Sequence, residues 1–137
     1  MARAEWSGTL KEGTGNFSTE SGAIQQAPYS FGKRFLDEAG SNPEELIAAA
    51  LASCFSMALS ANLEKAGLSG IQVHTEVWIT FEPANGVPTL TEAHLRVKAS
   101  GDGLTNEQLS EIAADTSQTC PISRALSMPK TVETELG

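Results

Sequence analysis

Eighteen consecutive residues, Leu46 to Leu63, carry no charge and run between Glu45 and Glu64. By length alone such a stretch could span a bilayer. Its content argues otherwise: six alanines, three serines and Asn62 make it a helix to be buried in a folded protein. The approach to it is a helix start. In Ser41-Asn42-Pro43-Glu44-Glu45, Asn42 suits the N-cap and Pro43 the first helical position, and Glu45 stands where a capping box closes. Helical preference runs to Ala66, and Gly67 supplies the stop. A helix of about 24 residues is roughly 36 Å long. Being apolar on nearly every face, it must be surrounded by other elements. Around Cys54 its helical neighbours are Ile47, Ala50, Leu51, Met57, Ala58 and Ala61. The alanines there permit close approach of another helix, including one from a second copy of the chain.

The other elements follow from punctuation and alternation. Residues 3–35, broken by Gly13, Gly15, Gly22, Pro28 and Gly32, predict short strands in an antiparallel meander. Ile71–Phe81 alternates as a half-buried strand. A turn at Pro83–Pro88, with Asn85-Gly86 inside, joins it to a second strand with Ala93, Leu95, Val97 and Ala99 inward and Glu92, His94, Arg96 and Lys98 outward, giving a hairpin. Thr105 and Gln108 make a capping-box pattern ahead of an amphipathic helix to about Ser117, with Leu109, Ile112 and Ala113 on its buried stripe. Pro121 opens a short helix that leaves Cys120 at its N-cap, and Lys130–Leu136 closes as a strand. These elements predict an α+β fold: a curved antiparallel sheet packed on one long central helix. With 137 residues and no repeat or linker to divide them, residues 1–137 are expected to form a single domain.

A net charge of −8 and a pI near 4.6 argue against nucleic acid and against anionic membrane surfaces as partners. The first residues, MARAEWSGTLKEGTG, contain no apolar signal core, so a cytoplasmic location is expected. In that reducing compartment the two cysteines, Cys54 and Cys120, 66 positions apart, point to catalysis or redox sensing rather than to a permanent staple. His74 and His94 fall on polar strand faces, and two thiols and two imidazoles without ligand spacing give no metal site. No G-x-S-x-G elbow and no phosphate loop is present.

A thiol that attacks peroxide must be ionised, and an apolar wall opposes that, so Cys54 needs a cation. Lys33 and Arg34, just upstream of the helix, are the nearest in sequence. Arginine suits a buried ion pair better, and Glu44 or Glu45 could hold it, although both acids also fit the first helical turn on dipole grounds. Cys120, at a helix N-terminus, reads as the thiol better placed for ionisation.

Two segments carry a resemblance. Ser41-Asn42-Pro43-Glu44-Glu45-Leu46-Ile47-Ala48-Ala49-Ala50 running into Ser53-Cys54-Phe55-Ser56-Met57-Ala58-Leu59-Ser60 resembles the signature helix of the OsmC/Ohr family, the osmotically inducible and organic hydroperoxide resistance proteins. Cys120-Pro121-Ile122-Ser123-Arg124-Ala125-Leu126 resembles its second cysteine motif. Ser18–Gly22, Pro28–Phe31 and Lys33-Arg34-Phe35 are similar to the OsmC branch. The resemblance implies a swapped homodimer and a thiol peroxidase that turns organic hydroperoxides into alcohols. It implies Cys54 as peroxidatic thiol, Cys120 as resolving thiol, Arg34 orienting the thiolate and Glu44 holding Arg34, with Glu45 left to the cap. It implies no cofactor, and a dithiol reductant such as a lipoyl group on a carrier protein. A thiol redox sensor and a carrier of apolar ligands are the alternative readings; neither would consume peroxide catalytically.

Overall fold

The computed structural model describes residues 1–137. They form two compact units, Met1–Leu46 and Ile47–Gly137.

In the first unit β1 (Ala2–Ser7), β2 (Thr14–Thr19) and β3 (Ala27–Ser30) make the expected antiparallel meander in the order β1-β2-β3. The predicted strand run ends early. The Ser30 hydroxyl accepts the N–H of Lys33 and caps a five-residue helix, α1 (Phe31–Phe35). That local side-chain bond turns the chain out of the sheet. The long helix α2 (Pro43–Lys65) then starts where the sequence places it: the Asn42 side chain accepts the Glu45 N–H at 2.8 Å. Its far end is a glycine stop. Gly67 has φ +87°, Gly67 N–H bonds the Glu64 carbonyl, and Leu68 N–H reaches back to that of Leu63.

In the second unit, Leu51, Phe55, Leu59 and Leu63 of α2, spaced four apart, form a fully buried stripe. They share one core with Ala93, Leu95, Val97 and Ala99 of β5 (Val87–Ser100) and with Leu109 and Ala113 of α3 (Asn106–Thr119). By length and composition α2 is apolar enough to cross a membrane, but this stripe is part of that core. The hairpin is as predicted: β4 (Gln72–Ala84) pairs antiparallel with β5, and the turn tightens to Asn85-Gly86 alone. Both turn residues have positive φ, +51° and +77°, the twist a two-residue hairpin needs. Thr105 and Gln108 close the predicted capping box on α3. After α4 (Pro121–Ala125), β6 (Lys130–Leu136) lies against β5.

The α+β class and the long helix match expectation, but the strands are distributed differently. They form two three-stranded sheets, and β6 runs parallel to β5. Alternation identifies a strand without naming its partner. Here α3 and α4 supply the crossover of a dozen or more residues that a parallel neighbour requires.

Candidate active site

Cys54 lies on α2 one turn beyond Leu51, at the edge of the buried stripe; it is half-buried and packs against the core with Ile47 and Ala58. Cys120 is only 1% exposed. It ends α3, with its N–H on the Thr116 carbonyl, and opens α4, with its sulfur accepting the Ser123 N–H at 3.4 Å. Ser123 is itself buried, and its hydroxyl donates to the carbonyl of Ser117 in the last turn of α3, tying the two helices at the corner that carries the thiol. The two cysteines are free thiols, and they lie close enough that Cys54 acts on the Cys120 proton.

The electrostatics correct one expectation. Cys120 is not poised to ionise: burial pushes its thiol pKa up, and the neighbouring Cys54 pushes it further. The Ser123 and Ile122 N–H groups act in the opposite direction without prevailing. A four-residue pattern shows a helix start but not what lies over it. Cys120 also sits at the negative end of the 14-residue α3, against the positive end of a five-residue helix. Cys120 therefore holds its proton.

Arg34, near the end of α1, meets Glu44, in the first turn of α2. Nη2 donates to Oε1 at 2.7 Å, and Nε lies 3.1 and 3.3 Å from Oε1 and Oε2. This planar two-point grip fixes the guanidinium plane as well as neutralising the charge. The Glu44 side chain is 12% exposed. Phe35 lies beside the cation, its ring centroid 5.3 Å from Arg34 Cζ. Of the other two candidates, Lys33 is used elsewhere, its Nζ donating to the Ala39 carbonyl, and Glu45 stands at the cap, where its backbone N–H donates to the Asn42 side chain. His94 Nδ1 bonds Thr131 Oγ1 at 2.8 Å and faces Glu133; His74 pairs across the hairpin with Lys98, not with His94. No cluster of three metal-ligating side chains forms.

Sequence reasoning missed Ser123, Trp6 and Tyr29. Ser123 stands at the third helical position after Cys120, where an N-cap acceptor finds its N–H, so spacing could have found it. Trp6 and Tyr29 come together only once strand register is known.

Two free thiols from distant parts of the chain, brought near each other on an α+β scaffold, define a thiol redox protein. A sequence profile described as OsmC-like protein matches residues 36–135, so the chain belongs to the OsmC-like family. It is 37% identical over 134 residues to Peroxiredoxin OsmC of Escherichia coli (strain K12), covering 98% of this chain and 94% of that one. The Peroxiredoxin OsmC of Shigella flexneri matches to the same degree. In fold it is similar to the organic hydroperoxide resistance protein OhrB of Bacillus subtilis, with TM-score 0.70 and 21% identity over 100% of this chain and 98% of that one. An OsmC-like protein of Mycoplasma pneumoniae gives TM-score 0.67 at 15% identity, over 99% and 95%. Family and thiol pair together make the protein a cysteine-based peroxidase.

Proposed function

We propose that this chain, a single domain over residues 1–137, reduces organic hydroperoxides to alcohols as a cytoplasmic homodimer, with Cys54 attacking and Cys120 resolving. The observation that carries the reading is that two free thiols 66 positions apart in the chain come close enough in the fold for one to act on the proton of the other. The Cys54 thiolate attacks the outer oxygen of ROOH. The O–O bond breaks, the alkoxide takes up a proton and leaves as ROH, and Cys54 becomes a sulfenic acid. Arg34, held flat by Glu44, stabilises the thiolate and the charge growing on the leaving oxygen. The Cys120 sulfur then attacks the Cys54 sulfur; the S–S bond forms, the S–O bond breaks, and the hydroxyl departs as water with the Cys120 proton. A dithiol, such as a lipoyl group on a carrier protein, reopens the bridge by exchange and is itself oxidised to a disulfide.

The asymmetry of the pair supports these roles. The buried, protonated Cys120 is suited to wait, and the half-buried Cys54 to meet substrate. The homodimer reading is supported by the outer face of α2, where Ala49, Ala50, Ser53 and Met57 are exposed, Met57 by 77%. A helix this apolar gains by covering that face.

The test is steady-state consumption of an organic hydroperoxide with dithiothreitol as reductant. Wild type should turn over, and Cys54→Ser should be inactive yet folded. Wild-type turnover by the variant refutes the mechanism. Stoichiometric consumption by wild type, one peroxide per chain, makes the protein a sensor instead.

A further inference from the structure

The uncharged run between Glu45 and Glu64 contains one side-chain amide, Asn62. Asn62 is half-buried, and its Nδ2 donates to the Thr116 hydroxyl of α3 at 2.9 Å. Thr116 is fully buried, and its own hydroxyl proton goes to the Ile112 carbonyl at 2.7 Å. A hydroxyl has one proton to give, so the bond from Asn62 runs in one direction only. Leaving a polar group unpaired at this depth is costly, which makes the link specific. Its place in the fold relates it to the thiols. Cys54, Ala58 and Asn62 form a row along α2 at a spacing of four. Ile112, Thr116 and Cys120 form a matching row along α3 and its cap. Rows of this spacing are the ridges through which helices pack. The two meet at two points, Asn62 on Thr116 and Cys54 near Cys120. Thr116 is also bonded to the second point directly, since its carbonyl accepts the Cys120 N–H at 3.0 Å.

We propose that Asn62 and Thr116 are positioning residues for closure of the Cys54–Cys120 bridge: their bond holds the end of α3 against α2, and so sets how often a Cys54 sulfenic acid is resolved before a second peroxide reaches it. The inference rests on the peroxidase reading above. Both residues act through the placement of Cys120, not on the reacting atoms. In closure the Cys120 sulfur attacks the Cys54 sulfur, the S–S bond forms, and the S–O bond breaks with loss of water. The rival step is attack of the Cys54 sulfenic acid on a second ROOH, which gives up its outer oxygen and leaves as ROH, so that a sulfinic acid remains. Closure is unimolecular and depends on how the two sulfurs are held, whereas the rival step depends on peroxide concentration. A misplacement of about 1 Å costs an oriented reaction on the order of 10²-fold. Cys120 keeps its Ser123 anchor when the Asn62–Thr116 bond is cut, so a smaller loss is expected. The first oxidation of Cys54 makes no use of Cys120 and should not depend on the bond.

The test separates the two steps. Reduced protein is mixed with an organic hydroperoxide, quenched at intervals with dimedone to trap sulfenic acid, and mapped by mass. Thr116→Val keeps the shape and removes the hydroxyl. It should slow bridge closure about tenfold and raise loss to sulfinic acid at low peroxide by about the same factor, with the second-order rate constant for the first oxidation unchanged. Thr116→Ser should restore both. Asn62→Ala should match Thr116→Val, and the double variant should be no slower than either, because one link has been cut twice. If Thr116→Val does not fold, Asn62→Ala, which cuts the link at its half-buried end, decides by the same two rates. Wild-type closure in the single variants overturns the proposal, as do losses that multiply in the double variant. A first oxidation that slows in step with closure overturns it too, since the bond would then merely support the fold. A wild type that forms no bridge refutes the peroxidase reading and this inference with it, whereas a bridge whose closure ignores both substitutions refutes the inference alone.

Discussion

Replacing Glu44 by glutamine isolates what the carboxylate does for Arg34. The substitution keeps the shape and one acceptor. It removes the charge, and it turns the second oxygen into an NH2 that faces the arginine Nε–H. Three contacts at 2.7, 3.1 and 3.3 Å are affected. A charge-assisted hydrogen bond contributes about 1.5–3 kcal/mol when well buried. Here Glu44 is 12% exposed but Arg34 is 37% exposed, so screening reduces the figure to ~1.5 kcal/mol. If that energy holds the guanidinium in its working orientation, Glu44→Gln should slow Cys54 oxidation about tenfold. Arg34→Ala, which removes the donor to the developing oxyanion, should cost on the order of 10²–10³. Single-turnover oxidation by an organic hydroperoxide, followed by stopped-flow fluorescence over a range of peroxide concentrations, gives both second-order rate constants. The refuting result is a wild-type rate in Glu44→Gln alongside a large loss in Arg34→Ala, because the arginine would then act without being held.

Cys120 links stability to pH. Its pKa is raised in the folded state, so above the ordinary thiol range the native protein binds more protons than the unfolded chain. The slope of unfolding free energy against pH is then negative, and stability falls as pH rises from the unfolded toward the folded value. Urea midpoints under reducing conditions should decline from neutral to alkaline pH in wild type and decline less in Cys120→Ala. Leu59→Ala removes a fully buried side chain from the α2 stripe and should lower stability by about 3–5 kcal/mol, readable from the same urea curves. Asn42→Ala leaves the Glu45 N–H without its cap and should cost about 1 kcal/mol with the slope of the urea transition unchanged.

Features fixed by neighbouring residues were legible in the sequence. The Asn42 and Thr105 caps, the Gly67 stop, the Asn85-Gly86 turn and the inward set Ala93, Leu95, Val97 and Ala99 each depend on a few residues whose chemistry admits one local geometry. Features fixed by distant partners were not. Nothing in Lys130–Leu136 says that it pairs parallel to β5 rather than antiparallel to another strand. The Cys120 motif announces a helix start, but the burial that governs its proton comes from packing remote in sequence. The Arg34–Glu44 grip was anticipated through family resemblance, since local reasoning preferred Arg34 to Lys33 but left Glu44 and Glu45 as equal candidates. The Trp6–Gly15–Tyr29 row needed strand register before its three residues could be seen together.

The most direct measurement is intact-mass and peptide mapping of reduced protein treated with one equivalent of an organic hydroperoxide. The account predicts loss of two hydrogens per chain and a single new cross-link joining the peptides of Cys54 and Cys120. In Cys120→Ala it predicts an added oxygen on Cys54 in place of the bridge. Oxidation that begins on Cys120, or a Cys54 that stays reduced while peroxide is consumed, would contradict it.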